Sequence, residues 1–226
     1  MTMDSTPRQV AETFNIGEFM RLLAHELGNP VASIRMSAEM LVGDLPNDIR
    51  DQLSQIVFDE ALRLEALIES AVFYTTLQQG APLQLEVEPL LGAAIRQVEG
   101  AENVSPRFEP DAARTITGDA GQLTRMFREL VSNAVQCGSS QVDLSVAGNA
   151  EESIFTLRDN GDGIANDKLS VIFTPFYTTR DGRLGLGLPI ARKIAEQHGG
   201  SIAVAPADNG GTIVTLSLPS ARPLPH

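Results

Sequence analysis

The chain has 226 residues, 42% of them hydrophobic, and a formal charge of -12 at neutral pH. That length accommodates one mid-sized core and a smaller second one, which argues for two compact domains and against a long disordered protein. The acidic balance disfavours a non-specific grip on nucleic acid or on an anionic membrane surface, so partners are expected among proteins and metal-bound nucleotides.

Residues 1–15 carry no basic-then-apolar leader and read as a linker or tail. No apolar run approaches the roughly 18 residues of a membrane span, so the sequence reads as cytoplasmic. From residue 16 to 42 the apolar residues Phe19, Leu23, Leu27, Val31, Ile34, Ala38 and Leu41 recur at helical spacing, until Asp44-Leu-Pro-Asn-Asp48 breaks the pattern. The same period returns over residues 49–78 through Leu53, Ile56, Ala61, Leu64, Leu67, Ile68, Ala71 and Val72. An antiparallel helical hairpin of roughly 40 Å follows, at ~1.5 Å per residue. One hairpin cannot shield so wide an apolar face, whereas two packed as a four-helix bundle can. A homodimer is therefore expected.

Gln79-Gly-Ala-Pro82 reads as a hinge between a hairpin domain at 16–79 and a second domain at 80–220, with 221–226 as a tail. In that second domain strands are expected at 83–87, 104–108, 114–117, 141–147, 153–158, 201–205 and 212–218. Helices are expected near 89–98, 121–135, 166–172 and 186–197. Strands and helices that do not alternate one for one indicate an α+β sandwich, with helices on one face of a mixed sheet.

Chemistry gathers at three places in this domain. Glu129 and Asn133, at i and i+4 of one helix, share a face on which a carboxylate and an amide oxygen can hold Mg²⁺ directly or through water. Asp159-Asn-Gly-Asp-Gly163 directly follows a strand; a carboxylate fixed there can accept from an amino group such as that of adenine, while Gly161 and Gly163 let the backbone turn against the base. An ordinary turn between strands would read the same way in isolation. Gly185-Leu186-Gly187 opens a helix whose free N–H groups and dipole suit phosphate. Between the two glycine elements, residues 173–183 form a polar loop after the Phe173 and Phe176 pair, whose packing is expected to anchor it as a lid. Arg180 or Arg183 would then reach the terminal phosphate. Cys137 reads as a small buried apolar residue, and one cysteine excludes a disulfide framework. Gln136 sits three residues past Asn133.

In order, Asn133, the Asp-x-Gly-x-Gly turn, the Phe-rich segment and Gly-x-Gly closely resemble the N, G1, F and G2 boxes of sensor histidine kinases, in the superfamily of gyrase, the Hsp90 chaperones and MutL. The resemblance covers residues 83–218. It implies a Bergerat-type pocket for ATP and Mg²⁺, with Glu129 and Asn133 serving metal and phosphates and Asp159 the adenine. Gly161, Gly163, Gly185 and Gly187 would form the wall and lid. Many relatives carry lysine or arginine where this chain has Gln136, which implies a missing phosphate contact.

His25-Glu-Leu-Gly-Asn-Pro30 lies inside the first helix. A lone helical histidine is most often structural or merely exposed, but three neighbours here supply chemistry. Glu26 can accept from one imidazole nitrogen and so make the other a better nucleophile, and Asn29 lies on the same face to orient a water. Pro30 cannot donate to the Glu26 carbonyl, so the helix is expected to loosen or bend past the histidine. The segment is similar to the H box of the dimerisation and histidine-phosphotransfer domain over residues 16–77. That likeness implies autophosphorylation of His25, transfer to an aspartate of a response regulator receiver domain, and regulator dephosphorylation through Glu26 and Asn29. Residues 1–15 are too few to sense a signal, so a separate sensory protein or region is expected to supply it. A phosphotransfer adaptor with a disabled pocket and an ATPase clamp with an incidental His25 are the alternatives. His198 is expected to cap a helix or act as a cation there, His226 to lie in a tail, and Glu60 and Arg63 to form a surface ion pair.

Overall fold

The computed structural model describes residues 15–78, 80–180, 183–208 and 210–221. By contact the chain divides into a unit ending at Glu65 and a second beginning at Ala66. The first holds α1 (Ile16–Leu41) and most of α2 (Asn47–Thr76), the expected hairpin. Asn15 caps α1, its Oδ1 accepting from the amides of Gly17 and Glu18 at 3.0 and 3.2 Å, which satisfies two of the donors that every helix start leaves open. The connection between the helices closes through the Gly43 amide on the Met40 carbonyl. Helix α1 continues through Pro30; the missing donor costs the Glu26 carbonyl one bond without ending the helix. Met20, Val31, Met36, Met40, Ile56 and Leu62 all lie exposed on these helices.

The second unit contains the end of α2, then β1 (Leu83–Glu86), α3 (Val87–Ile95), β2 (Pro106–Phe108), β3 (Thr115–Gly118), α4 (Ala120–Val135), β4 (Val142–Gly148), β5 (Glu152–Asp159), α5 (Gly187–Gln197), β6 (Ser201–Pro206) and β7 (Thr212–Pro219). All seven expected strands form, but in two sheets. Five make the main mixed sheet in the order β2-β4-β5-β7-β6, with only the β2–β4 pair parallel. β1 and β3 stand apart as an antiparallel pair. Period-two alternation sorts β5 and β7 cleanly: Ser153, Phe155, Leu157 and Asp159 point inward, as do Thr212, Val214, Leu216 and Leu218. Against that inner face lie Leu123, Phe127, Leu130 and Val131 of α4 and Ile190, Ala191 and Ile194 of α5, all essentially without exposure. The Phe127 and Phe155 rings meet at 4.9 Å in a tilted pair.

The expected helix over 166–172 is instead a 3₁₀ turn, Asn166–Lys168, followed by further turns. Thr174 precedes Pro175 and is pushed away from helical backbone, and the segment before it is too short to offset the cost of nucleation.

Candidate functional site

The row of inward residues on β5 ends at Asp159, so the strand's own alternation carries a carboxylate to the helix side of the sheet at its margin. Asp159 is 3% exposed. Its Oδ1 accepts from the Gly161 amide at 2.9 Å and the Thr212 amide at 3.2 Å, which fixes the carboxyl plane and leaves Oδ2 for another donor. Thr212 was not singled out from the sequence. Its hydroxyl is buried and has no partner among the described residues, one strand away from Asp159. A buried hydroxyl left open costs stability, so this orphan beside a carboxylate is a fit for a polar ligand edge. The signal that would have found it is its place as the first inward residue of β7, directly after Gly210-Gly211.

The turn after Asp159 must pass close to the end of α4. A Cβ on Gly161 would lie 2.3 Å from the Cys137 carbonyl oxygen, which only glycine avoids. The Asp162 amide donates to that same carbonyl at 3.1 Å. Gly163 turns on beside the Gly211 carbonyl.

Helix α4 is amphipathic in a way that divides its labour. Leu123, Met126, Phe127, Leu130 and Val131 enter the core, while Gln122, Arg125, Glu129 and Asn133, spaced three, four and four, make a polar stripe. Glu129 and Asn133 face the start of α5: a Cβ on Gly187 would stand 3.1 Å from Glu129 Oε2 and 3.5 Å from Asn133 Nδ2. The other carboxylate oxygen, Oε1, accepts from Arg128 at 2.7 Å and lies 3.8 Å from Arg125 Nε. One carboxylate oxygen is thus held by arginine and the other turned toward the helix start. Leu186, the residue before α5, is buried and offers no side-chain cap, so the first amides of α5 stay available to an anion. Among the described residues no three His, Cys, Asp or Glu side chains cluster. Glu129 and Asn133 therefore suit a metal that completes its shell with phosphate oxygens and water, as Mg²⁺ does.

The lid is tied at its base, where the Phe176 amide donates to the Gly185 carbonyl at 3.0 Å. Phe176 has a φ of 65° and Gly185 a φ of 64°, and a Cβ on Gly185 would lie 2.6 Å from the Phe176 carbonyl carbon. Phe173 and Phe176 are half-buried, and Arg192 lies over the Phe173 ring at 4.9 Å. Arg180 donates to Cys137 Sγ, and Arg183 Nη2 donates to the Ser132 carbonyl at 3.4 Å. Arg183 therefore rests on the last turn of α4, and Arg180 just past its end. Asp181 and Gly182 of the same loop, Gln79 of the hinge and His226 lie outside the described residues. Burial pushes the Cys137 thiol up, with Arg180 pulling part of the way back, and burial lowers Arg183.

In the hairpin, His25 is well exposed, with a side chain 73% accessible against 25% for Glu26. Its Nδ1 lies 3.3 Å from Glu26 Oε1. Nδ1 thus carries the proton toward the carboxylate and Nε2 is left to solvent, the tautomer a nucleophilic imidazole needs. Asn29 is exposed one turn on. Arg63 and Glu60 approach to 4.0 Å. Of the capping or cationic role expected of it, His198 takes the cap: Nδ1 donates to the Ile194 carbonyl at 2.8 Å while Nε2 accepts the Asp119 amide at 3.1 Å. A ring that accepts at Nε2 is neutral, so His198 caps α5 and ties it to the start of α4 without charge.

Two family models match the chain. The His Kinase A (phospho-acceptor) domain covers residues 15–80, and the histidine kinase-, DNA gyrase B-, and HSP90-like ATPase covers residues 118–222. A phospho-acceptor hairpin joined to an ATPase of this type is the class that the fold and the sites define. The sensor histidine kinase ZraS of Escherichia coli strain K12 is 31% identical over 211 residues, covering 90% of this chain and 45% of that protein. The sensory histidine kinase/phosphatase NtrB of Rhizobium meliloti is 27% identical over 229 residues, covering 90% and 58%. The solved complex of histidine kinase ThkA with response regulator protein TrrA superposes with a TM-score of 0.74 at 22% identity, over 91% of this chain and 62% of that one. At that identity the likeness establishes the fold. The chain thus carries a phospho-acceptor domain and an ATPase domain of the histidine kinase type, and spans just under half the length of the ZraS proteins it matches.

Proposed function

We propose that the chain is an ATP-dependent protein-histidine kinase core that phosphorylates His25. The observation that carries this reading is the exposed His25 ring, its Nδ1 turned to Glu26 and its Nε2 open to solvent. Nε2 attacks the γ-phosphorus of ATP, the bond from that phosphorus to the β,γ-bridging oxygen breaks, and ADP leaves. Glu26, accepting from Nδ1–H, stabilises the positive charge that develops on the ring. Asp159 and Thr212 accept the adenine edge, and Gly161 and Gly163 admit the base. The start of α5 at Gly185, Leu186 and Gly187, with Arg180, receives the phosphates. Mg²⁺, held through Glu129 and Asn133, supplies charge neutralisation on the transferring phosphoryl group.

The phosphoryl group then passes to an aspartate carboxylate of a response regulator receiver domain, which regenerates the neutral His25. Glu26 and Asn29 would direct water in the hydrolysis of the regulator's aspartyl phosphate, releasing inorganic phosphate. The exposed apolar side chains of α1 and α2 support a homodimer through a four-helix bundle. The hairpin is taken as 16–79 and the catalytic domain as 80–220, with tails at 1–15 and 221–226. A separate sensory protein or region supplies the signal. Among the described residues no helix is long and apolar enough to cross a membrane; ATP chemistry and a free thiol suit a reducing, cytoplasmic setting.

Incubation with γ-labelled ATP and Mg²⁺ tests the proposal. Label on the protein that is acid-labile and alkali-stable, and that is absent from His25→Ala and Asp159→Asn, is the expected result. ATP hydrolysis with no labelled protein would indicate a clamp-type ATPase, and failure to bind ATP a phosphotransfer adaptor.

A further inference from the structure

The polar stripe of α4 continues past the nucleotide site to the end of α2. Helix α2 ends without a basic residue in its last turn, and its terminal carbonyls are instead satisfied by side chains of α4 and α5. Gln122 donates to the Gln78 carbonyl at 2.6 Å, Gln197 to the Leu77 carbonyl at 3.0 Å, and Lys193 to the Tyr74 carbonyl. Leu67, Ala71 and Tyr74 are buried along the same segment. The last turns of α2 are thus seated as part of the catalytic unit.

Arg125 stands between this seat and Glu129. Its guanidinium carbon lies 4.0 Å over the Phe73 ring, and Nη2 donates to Ser70 Oγ at 3.3 Å. Its Nε forms an ion pair with Glu129 Oε1 at 3.8 Å, beyond hydrogen-bond reach, and is buried with no hydrogen-bond partner among the described residues. A buried N–H of a charged group left open is costly, and the nearest acceptor is the carboxylate assigned to the metal. Phe73 and Ser70 therefore hold the guanidinium just short of a closer bond that it would otherwise make. Once released, Arg125 would join Arg128 on Glu129, and two arginines on one carboxylate would compete with a divalent cation for it.

We propose that Arg125 is a positioning residue that sets the Mg²⁺ affinity of the nucleotide site according to whether the last turns of α2 are seated. The inference rests on the reading that Glu129 serves the metal. Seated, α2 keeps Arg125 at the longer ion-pair distance and leaves Glu129 Oε2 to Mg²⁺; unseated, it lets Arg125 close on Glu129 and weakens the metal. By linkage, Mg²⁺ with ATP favours the seated helix by the same factor.

The test measures ATP binding to the full chain by calorimetry, at graded Mg²⁺ and in EDTA. The pair Ser70→Ala and Phe73→Leu is introduced into the natural background and into Arg125→Gln. In the natural background the Mg²⁺ concentration for half-maximal ATP affinity is expected to rise about 3- to 10-fold, with affinity in EDTA unchanged. In Arg125→Gln the pair is expected to change neither. An equal shift in both backgrounds, or no shift in the natural one, overturns the proposal, because the seat would then act as packing alone. Glu129→Gln with unaltered Mg²⁺ dependence would instead overturn the assignment of the metal to Glu129. Ser70→Ala alone removes one hydroxyl from a half-buried position, and gives the same sign of shift in a fold-preserving variant should the pair unfold.

Discussion

At the scale of single residues, Asp159 shows how a strand's alternation sets a buried carboxylate at the margin of a sheet. Its Oδ1 is filled by the Gly161 and Thr212 amides, so Asp159→Asn can keep those two bonds through its amide oxygen while replacing the remaining acceptor with a donor. ATP affinity is expected to fall by at least about tenfold, the effect of ~1.4 kcal/mol, with the melting temperature little changed; calorimetry and thermal denaturation read the two together. Cys137 makes a different prediction. Burial raises its thiol above the ordinary value of 9.0, so the folded chain holds this proton more tightly than the unfolded one. The contribution to stability is complete below 9.0 and is lost as pH rises through the higher folded value. Urea titrations across that window are expected to show a loss in the natural chain that Cys137→Ala lacks. Alkylation of the native thiol is expected to be slow near neutrality.

At the scale of elements, α4 and α5 are joined by His198, which bonds Ile194 at one nitrogen and Asp119 at the other. His198→Leu leaves the Asp119 amide unsatisfied beside the core and is expected to cost about 1–3 kcal/mol in urea unfolding. The single sequence showed only that a histidine ended a helix. Its neutrality depends on an amide 79 positions away, which no local pattern encodes. The same contrast runs through the fold. Alternation in β5 and β7 and the 3.6-residue period in α1, α2 and α4 are short-range properties, and those elements were legible. The strand order β2-β4-β5-β7-β6 and the separate β1–β3 pair are long-range pairings. Thr212 went unread because its role comes from the register that sets it against Asp159, and Arg125 because its partners lie on a helix some fifty positions earlier. Where the hinge residue Gly80 follows α2, the captured carbonyls of Tyr74, Leu77 and Gln78 make the end of that helix part of the catalytic unit. Lys193→Met with Gln197→Leu is expected to speed amide exchange selectively at residues 74–78, where the seat is loosened.

At the scale of the molecule, each part supplies what another lacks. On the proposed function the hairpin supplies the nucleophile His25 and the sandwich the nucleotide pocket, with His198 committed to structure. The hairpin's exposed apolar residues support the proposed second copy. Replacing Met36 and Leu62 with glutamate is expected to halve the mass seen by light scattering; an unchanged mass would mean that these faces do not form the dimer.

The central claim is that a phosphoryl group from ATP comes to rest on His25. The chain has three histidines, and trypsin isolates His25 from the other two, alone in the fragment 22–35. After incubation with ATP and Mg²⁺, mass spectrometry of an alkaline digest is expected to find the added phosphoryl group in that fragment and on the imidazole. A phosphoryl group in any other fragment, or none in a preparation that binds ATP, would contradict the account.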